Sequence, residues 1–262
     1  MLLAVDIGNT QTTAGLFEDG QMRVRWAVTT RAADTPDELH QTLFTQLALS
    51  GLELSCIDDA VIASVVPALT STWTQVAERV SGQRPVVVGP GVKSGLPMHY
   101  DNPAEVGADR VADAVAAVAL YGAPVVVVDL GTATNIEVVD EAGAFCGGII
   151  APGLRSGADS LFKRGALLSQ VGLSMPDHVI GANTADAMRS GIMLGEVARI
   201  DGLVQRIFEE LGYEAPVIAS GGLGRYLMGA STTITAFEPD LTLEGLRLIY
   251  QKNRGARRGA KA

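Results

Sequence analysis

The stretch that most constrains this chain is Leu2 to Gly20, LLAVDIGNTQTTAGLFEDG. Leu2-Leu3-Ala4-Val5 reads as a buried strand, and Asp6 interrupts it before Ile7-Gly8-Asn9-Thr10. Ala14-Gly15-Leu16-Phe17 resumes the apolar pattern, and Glu18-Asp19-Gly20 is a turn. Strand, glycine turn and strand make a hairpin. Gly8 has no Cβ and Asn9 and Thr10 are small, so the turn offers backbone N–H groups in a concavity suited to phosphate oxygens. A carboxylate at its mouth would repel phosphate unless a divalent cation lay between, so Asp6 implies Mg²⁺, held directly or through water. Over these residues alone, an ordinary hairpin with an exposed Asp fits equally well.

A second copy favours the phosphate reading. In PVVVVDLGTATNIEVVDEAG, residues 124–143, Val125 to Val128 form another buried strand ending in Asp129-Leu130-Gly131-Thr132. Gly143 follows Asp129 by the interval at which Gly20 follows Asp6. Val61-Ile62-Ala63-Ser64 is repeated as Val217-Ile218-Ala219-Ser220. The same order in both halves points to an internal duplication. The expected fold is α/β: two lobes, each sending an Asp-x-Gly hairpin toward a common interdomain nucleotide cleft.

Composition sets limits. The 262 residues, 47% hydrophobic, suffice for two cores. A net charge of −9 argues against a nucleic-acid surface, and the basic end, Lys252 to Lys261, reads as a solvated tail. Cys56 and Cys146 suggest no disulfide framework and fit a reducing cytoplasm; Cys146, beside Gly147-Gly148, reads as a small core residue. Asp6 cuts short the first apolar run, which argues against a signal peptide, and no run reaches the ~20 residues of a membrane span.

Along the chain, Gln21 to Thr29 alternates as a third strand, and Thr35-Pro36-Asp37-Glu38 is a capping box opening a helix that stops near Gly51. A strand at Ala60 to Val66, a helix from about Ser71 to Val80 and a strand at Pro85 to Val88 follow. That is the order of a ribonuclease-H-like lobe. Val92 to Asp101 is a loop ending in His99-Tyr100-Asp101, with His99 read as a surface residue. Asn102-Pro103-Ala104-Glu105 reads as the cap of a helix running toward Leu120, with Asp109 and Arg110 in its first turns. Gly107-Ala108 removes bulk beside Asp109, although an Asp there also suits the helix dipole and Arg110 with Asp113 fits a surface pair. Leu154 to Ala166 is a further helix, and Asn183-Thr184-Ala185-Asp186 caps a long one that stops at Gly212. A strand at Pro216 to Ser220, a Gly-Gly turn and a last helix, Leu241 to Gln251, complete the reading.

The motifs DIGNT (6–10), NPAEVGADR (102–110), DLGTAT (129–134), GGIIAPG (147–153), NTADAMRSG (183–191) and LTLEGL (241–246) span nearly the whole chain. In this order they resemble the type III pantothenate kinases, within the acetate and sugar kinase/actin superfamily. The resemblance implies two ribonuclease-H-like lobes, placed here at 1–118 and 119–262. It implies a cytoplasmic homodimer that uses ATP, Mg²⁺ and a monovalent cation, K⁺ or NH₄⁺, to phosphorylate pantothenate, the first step of coenzyme A synthesis. Carried onto this sequence, Asp109 is the base. Tyr100, Gly107, Ala108, Asp109, Arg110 and Thr184 contact pantothenate. Asp6, Ile7, Gly8, Asn9, Thr10, Gln11, Thr12, Thr13 and Thr132 bind ATP. Asp129 holds the monovalent cation, and Asp6 holds Mg²⁺ through water. Asn135 departs from relatives that often carry a hydroxyl residue after Ala-Thr. Two alternatives stand beside this reading: a superfamily kinase acting on another small acid or sugar, and a non-catalytic actin-like ATP-binding module.

Overall fold

The computed structural model describes residues 1–164 and 171–258. They divide into two compact units.

The first unit holds residues 1–96, 101–116 and the last helix. Its five-stranded sheet has the order β3-β2-β1-β4-β5, from β1 (Leu2–Ile7), β2 (Gln11–Glu18), β3 (Gln21–Thr29), β4 (Asp59–Ser64) and β5 (Val86–Val87). β1 is antiparallel to β2 and parallel to β4. Successive side chains of a strand point to opposite faces, and β1 is buried on both. Leu3, Val5 and Ile7 pack with Leu39, Leu43 and Leu47 of α1 (Pro36–Leu49) and with Leu69, Trp73 and Val76 of α2 (Pro67–Ser81). Ala4, with Phe17, Val61 and Ala63, packs with Ala108 and Ala112 of α3 (Ala108–Tyr121) and with Leu243, Leu246, Ile249 and Tyr250 of α7 (Leu241–Arg258). The Thr35–Glu38 capping box forms as expected, with the Glu38 carboxylate accepting from Thr35 N at 2.8 Å. α2 starts earlier than expected, with Pro67 as its first residue, where a fixed φ and a missing N–H cost nothing.

The second unit holds residues 97–100 and 117–240. Its sheet is built of β6 (Val125–Leu130), β7 (Ala133–Val139), β8 (Phe145–Pro152), β9 (Val217–Ser220) and β10 (Ala236–Phe237), in the order β8-β7-β6-β9-β10. With β6 for β1 and β9 for β4, the order and directions repeat those of the first sheet. The fold is therefore α/β, a duplication of ribonuclease-H-like lobes, as the repeated motifs implied. The copies differ by one residue in register: Ala63 lies beside Asp6, whereas Ser220 lies beside Asp129. Gly20 and Gly143 both sit in the turn before the third strand, each with positive φ. On one face, Val126, Val128 and Leu130 pack with Leu154 of α4 (Leu154–Arg164) and with Met193, Val197, Ile200 and Val204 of α5 (Thr184–Leu211). Leu227, from the short α6 (Gly224–Leu227), joins this cluster. Asn183 caps α5, its side chain accepting from Asp186 N at 2.9 Å, and Gly212 ends the helix with a left-handed φ. The expected continuation of α4 to Ala166 lies outside the described residues.

Three expectations are corrected. The last helix was assigned to a lobe of residues 119–262 but packs on the first sheet, where Tyr250 also donates to Asp59 Oδ2 at 2.7 Å. Asn102 caps a single 3-10 turn, Pro103–Glu105, and α3 begins separately at Ala108, because Val106 takes an extended conformation. Cys146 is exposed, since β8 alternates and Phe145 takes the inward position.

Asp201 on α5 holds the loop before β10. It accepts from Ser231 Oγ at 2.6 Å, Thr233 Oγ1 at 2.8 Å, Thr232 N at 2.9 Å and Thr232 Oγ1 at 2.8 Å. Burial alone would raise its pKa, but these donors outweigh burial and hold the carboxyl below its usual range. A carboxylate depressed on folding adds stability above its unfolded pKa, ~3.9, and loses it as pH falls through the folded value. Asp201→Asn is expected to cost about 1–2 kcal/mol at neutral pH, partial exposure limiting the figure. In urea melts at several pH values, the gap to wild type should close below about pH 4. A gap independent of pH contradicts this.

Candidate active site

The two Asp-x-Gly hairpins occupy equivalent places in the two sheets. Asp6 and Asp129 are each the penultimate residue of the first strand of their unit. Each is half-buried, Asp6 opposite Thr13 and Asp129 opposite Asn135. In each turn the glycine N–H closes the loop, Gly8 onto Gln11 O at 3.1 Å and Gly131 onto Ala133 O at 3.0 Å. These two N–H groups are therefore engaged within their own turns. Asn9, Thr10, Gln11 and Thr132 are exposed, Thr13 is half-buried, and Ile7 is fully buried, so only its backbone could serve a ligand.

Thr12 departs from the phosphate-contact expectation. It is 3% exposed, and its hydroxyl meets Thr30 Oγ1 at 2.9 Å. Thr30 in turn donates to Gly8 O at 2.7 Å, so the pair braces the turn from beneath. Thr30 escaped sequence analysis because it lies on the far side of β3, distant in sequence from the motif it supports.

The oxygens around Asp129 fit a cation. A Cβ on Gly221, whose φ is positive, would lie 2.6 Å from Asp129 Oδ1 and 2.6 Å from Leu130 O. One on Gly131 would lie 3.4 Å from Asp129 Oδ2. Glycine at these places leaves a carboxylate and a carbonyl within reach of a shared ion, and an all-oxygen donor set suits hard cations such as K⁺ and Mg²⁺. Asp6, with Thr13 beside it, presents the same kind of donors.

α3 carries Asp109 in its first turn. Ala108 belongs to the packed cluster of Ala4, Val61 and Ala63, so the helix start is anchored on the sheet that carries Asp6. Asp109 Oδ1 accepts from Arg110 N at 2.9 Å. Arg110 and Asp113 are buried, at 7% and 2% exposure, and are not the surface pair considered from sequence. A Cβ at Gly107 would collide with Asp109 Oδ1, so glycine here sets the position of that carboxylate. Gly107→Ala is accordingly expected to rotate Asp109 away and lower turnover about 10–100-fold, with the melting temperature nearly unchanged. Wild-type kcat in this variant would contradict the placement.

In the second unit, a cavity of about 870 Å³ lies between the end of β8, α4 and the start of α5. Gly153, Asn183, Thr184, Gly191, Gly195 and Arg199 are among its lining residues. Thr184 is exposed at its rim. The Thr132 turn borders it: a Cβ on Gly153 would overlap Thr132 O, and Ser156 Oγ donates to that oxygen at 2.9 Å. The cavity wall includes a network that sequence analysis missed. Glu196, 5% exposed, accepts from Thr134 Oγ1 at 2.7 Å and pairs with Arg199 at 2.5 Å. Arg199 Nη2 also donates to Pro152 O at 2.8 Å. The available signal was a carboxylate set among Met193, Val197 and Ile200 on the buried stripe of α5. Tyr100 sits in this unit too, its ring tilted against Phe145 with centroids 6.1 Å apart and packed on Gly147.

A family model for type III pantothenate kinases matches residues 2–206. The chain belongs to the type III pantothenate kinase family. A type III pantothenate kinase of Moorella thermoacetica is 43% identical over 254 residues, covering 97% of this chain and all of that protein. One of Acidobacterium capsulatum is 43% identical over 263 residues, covering 98% of this chain and 97% of the other. The sequence is thus that of a kinase family over nearly its whole length. Among solved structures, a conserved Campylobacter jejuni protein described as a Baf family transcriptional activator aligns with a TM-score of 0.62 at 18% identity, covering 97% and 99% of the two chains. Component A of the Acidaminococcus fermentans (R)-2-hydroxyglutaryl-CoA dehydratase aligns with a TM-score of 0.58 at 13% identity, covering 97% and 98%. At these identities the likeness concerns the fold alone. No helix among the described residues is long and apolar enough to cross a membrane.

Proposed function

We propose that this chain transfers the γ-phosphoryl group of ATP to the primary hydroxyl of pantothenate, giving 4'-phosphopantothenate, the first step of coenzyme A synthesis. The observation that carries this reading is 43% identity, across nearly the full chain, to proteins named type III pantothenate kinase. The repeated Asp-x-Gly hairpin supplies its chemistry. Phosphoryl transfer demands alignment and charge neutralisation more than covalent help from the protein. In this reading both hairpins serve the nucleotide. Asn9, Thr10, Gln11 and Thr13 of the first hairpin and Thr132 of the second contact the phosphates, and Gly8, with no side chain, leaves them room.

Asp6 would orient Mg²⁺ through water, and Asp129 with the Leu130 carbonyl would hold K⁺ or NH₄⁺. Mg²⁺, when bound, draws charge off the transferring group. Asp109 orients the acceptor hydroxyl and takes its proton late, which a weak carboxylate base can do when the transition state is loose. Gly107, Ala108, Arg110, Tyr100 and Thr184 form the acceptor site, which the reading completes with a second copy of the chain in a homodimer.

The test is ADP release by the purified protein with a panel of hydroxylated acids and sugars, with and without K⁺. The proposal expects release with pantothenate, dependence on K⁺ or NH₄⁺, and little with the others. Release with a sugar in preference to pantothenate overturns the acceptor, and release independent of any acceptor overturns the kinase reading.

A further inference from the structure

Away from the proposed phosphate contacts, three side chains of different chemistry converge on the second unit. They are His99, Asp140 and Cys146. Among the described residues, they are the only group of three or more His, Cys, Asp or Glu residues whose potential ligand atoms come together in this way, all within 4.8 Å of one another. The thiol Sγ donates to Asp140 Oδ2 at 3.3 Å, and His99 Nδ1 lies 3.7 Å from the same oxygen.

The backbone holds each of the three in place. Residues 97–99 run beside the start of β8: Phe145 N donates to Pro97 O and His99 N donates to Phe145 O, both at 2.9 Å. His99 is thereby fixed next to Cys146. Asp140 follows β7 and opens a turn longer than its Asp19-Gly20 counterpart. There Asp140 N donates to Ala144 O at 3.0 Å, and Ala144 N donates to Asp140 Oδ1 at 2.8 Å. That last bond orients the carboxylate and leads Oδ2 toward the imidazole and the thiol. A metal-ligating carboxylate braced by an outer hydrogen bond has this arrangement.

We infer that His99 Nδ1, Asp140 Oδ2 and Cys146 Sγ form a binding site for a borderline-soft divalent metal of the Zn²⁺ class, with water as the fourth ligand. Zn²⁺ bonds of ~2.0–2.3 Å to nitrogen, oxygen and sulfur imply tetrahedral edges of roughly 3.3–3.6 Å. The two separations to Asp140 Oδ2 nearly match these edges, so small side-chain rotations close the site. Sulfur, imidazole and carboxylate together select Zn²⁺ or Co²⁺ over Mg²⁺ and K⁺, which prefer oxygen alone. The site is therefore chemically distinct from the cation positions proposed for catalysis. Binding converts the Cys146 thiol to a metal thiolate and releases its proton to solvent.

The experiment is titration of the nucleotide-free full-length protein with Co²⁺ under a non-thiol reductant, followed by near-ultraviolet and visible absorption. One equivalent per chain is expected to develop a thiolate-to-cobalt charge-transfer band that Zn²⁺ bleaches and a chelator removes. Cys146→Ser should abolish the band, Cys56→Ser should keep it, and His99→Ala should weaken binding at least about tenfold. Cys146 and His99 are both exposed, so neither change threatens folding. Absence of the band, its survival in Cys146→Ser, or undiminished affinity in His99→Ala would each overturn the site.

Discussion

Asp109→Asn is expected to lower kcat with pantothenate by about 10²–10⁴ while leaving ATP binding intact. The amide is nearly the shape of the carboxylate, so the start of α3 keeps its packing through Ala108 and Ala112. What it loses is the capacity to take the acceptor's proton, the role proposed for Asp109. The nucleotide contacts proposed here lie elsewhere, on the β1–β2 and β6–β7 turns, so ATP affinity should not follow turnover. Measuring kcat by coupled ADP release and ATP affinity by calorimetry separates the two. Near-native turnover removes Asp109 from the mechanism. Loss of both together means that Asp109 supports the fold or the nucleotide instead.

Gly245→Ala is expected to be strongly destabilising, by about 3 kcal/mol. Gly245 lies where α7 crosses α3. A Cβ there would overlap the Ala112 carbonyl oxygen and sit 2.5 Å from its carbon. That neighbour is backbone within a helix, so it cannot turn aside as a side chain would. Relief requires α7 to lift from the sheet, exposing Leu243, Leu246, Ile249 and Tyr250, which are buried. Gly202→Ala, on exposed helix in α5 where an added Cβ meets nothing within 4 Å, is the control. It should be neutral or stabilising by up to about 1 kcal/mol. Equal melting temperatures for Gly245→Ala and wild type would contradict the crossing.

Much of this was legible because it is local. The strand-turn-strand hairpins follow from short apolar runs and small residues, and both ends of α5 follow from Asn183 and Gly212. Repetition then made the topology legible, since one duplicated order implies one duplicated sheet. The home of α7 was not legible. A stripe of Leu243, Leu246, Ile249 and Tyr250 specifies an amphipathic helix but not the sheet it covers. The boundary of α3 was obscured because Asn102-Pro103-Ala104-Glu105 carries the cap chemistry of a real helix and spends it on one 3-10 turn. Cys146 was misplaced by its apolar neighbours, although period-2 alternation from Phe145 puts it outside. Glu196 left a local trace, a carboxylate on the buried stripe of α5, but its partner Thr134, the Thr12–Thr30 pair and the approach of His99 to Asp140 and Cys146 depend on pairings distant in sequence, which no local pattern encodes.

The most direct test of the central claim is phosphorus NMR of a complete reaction containing ATP, Mg²⁺, K⁺, pantothenate and the protein. The account predicts one new phosphomonoester signal, coupled to the primary methylene of pantothenate, growing in step with ADP. ADP accompanied only by inorganic phosphate would contradict it.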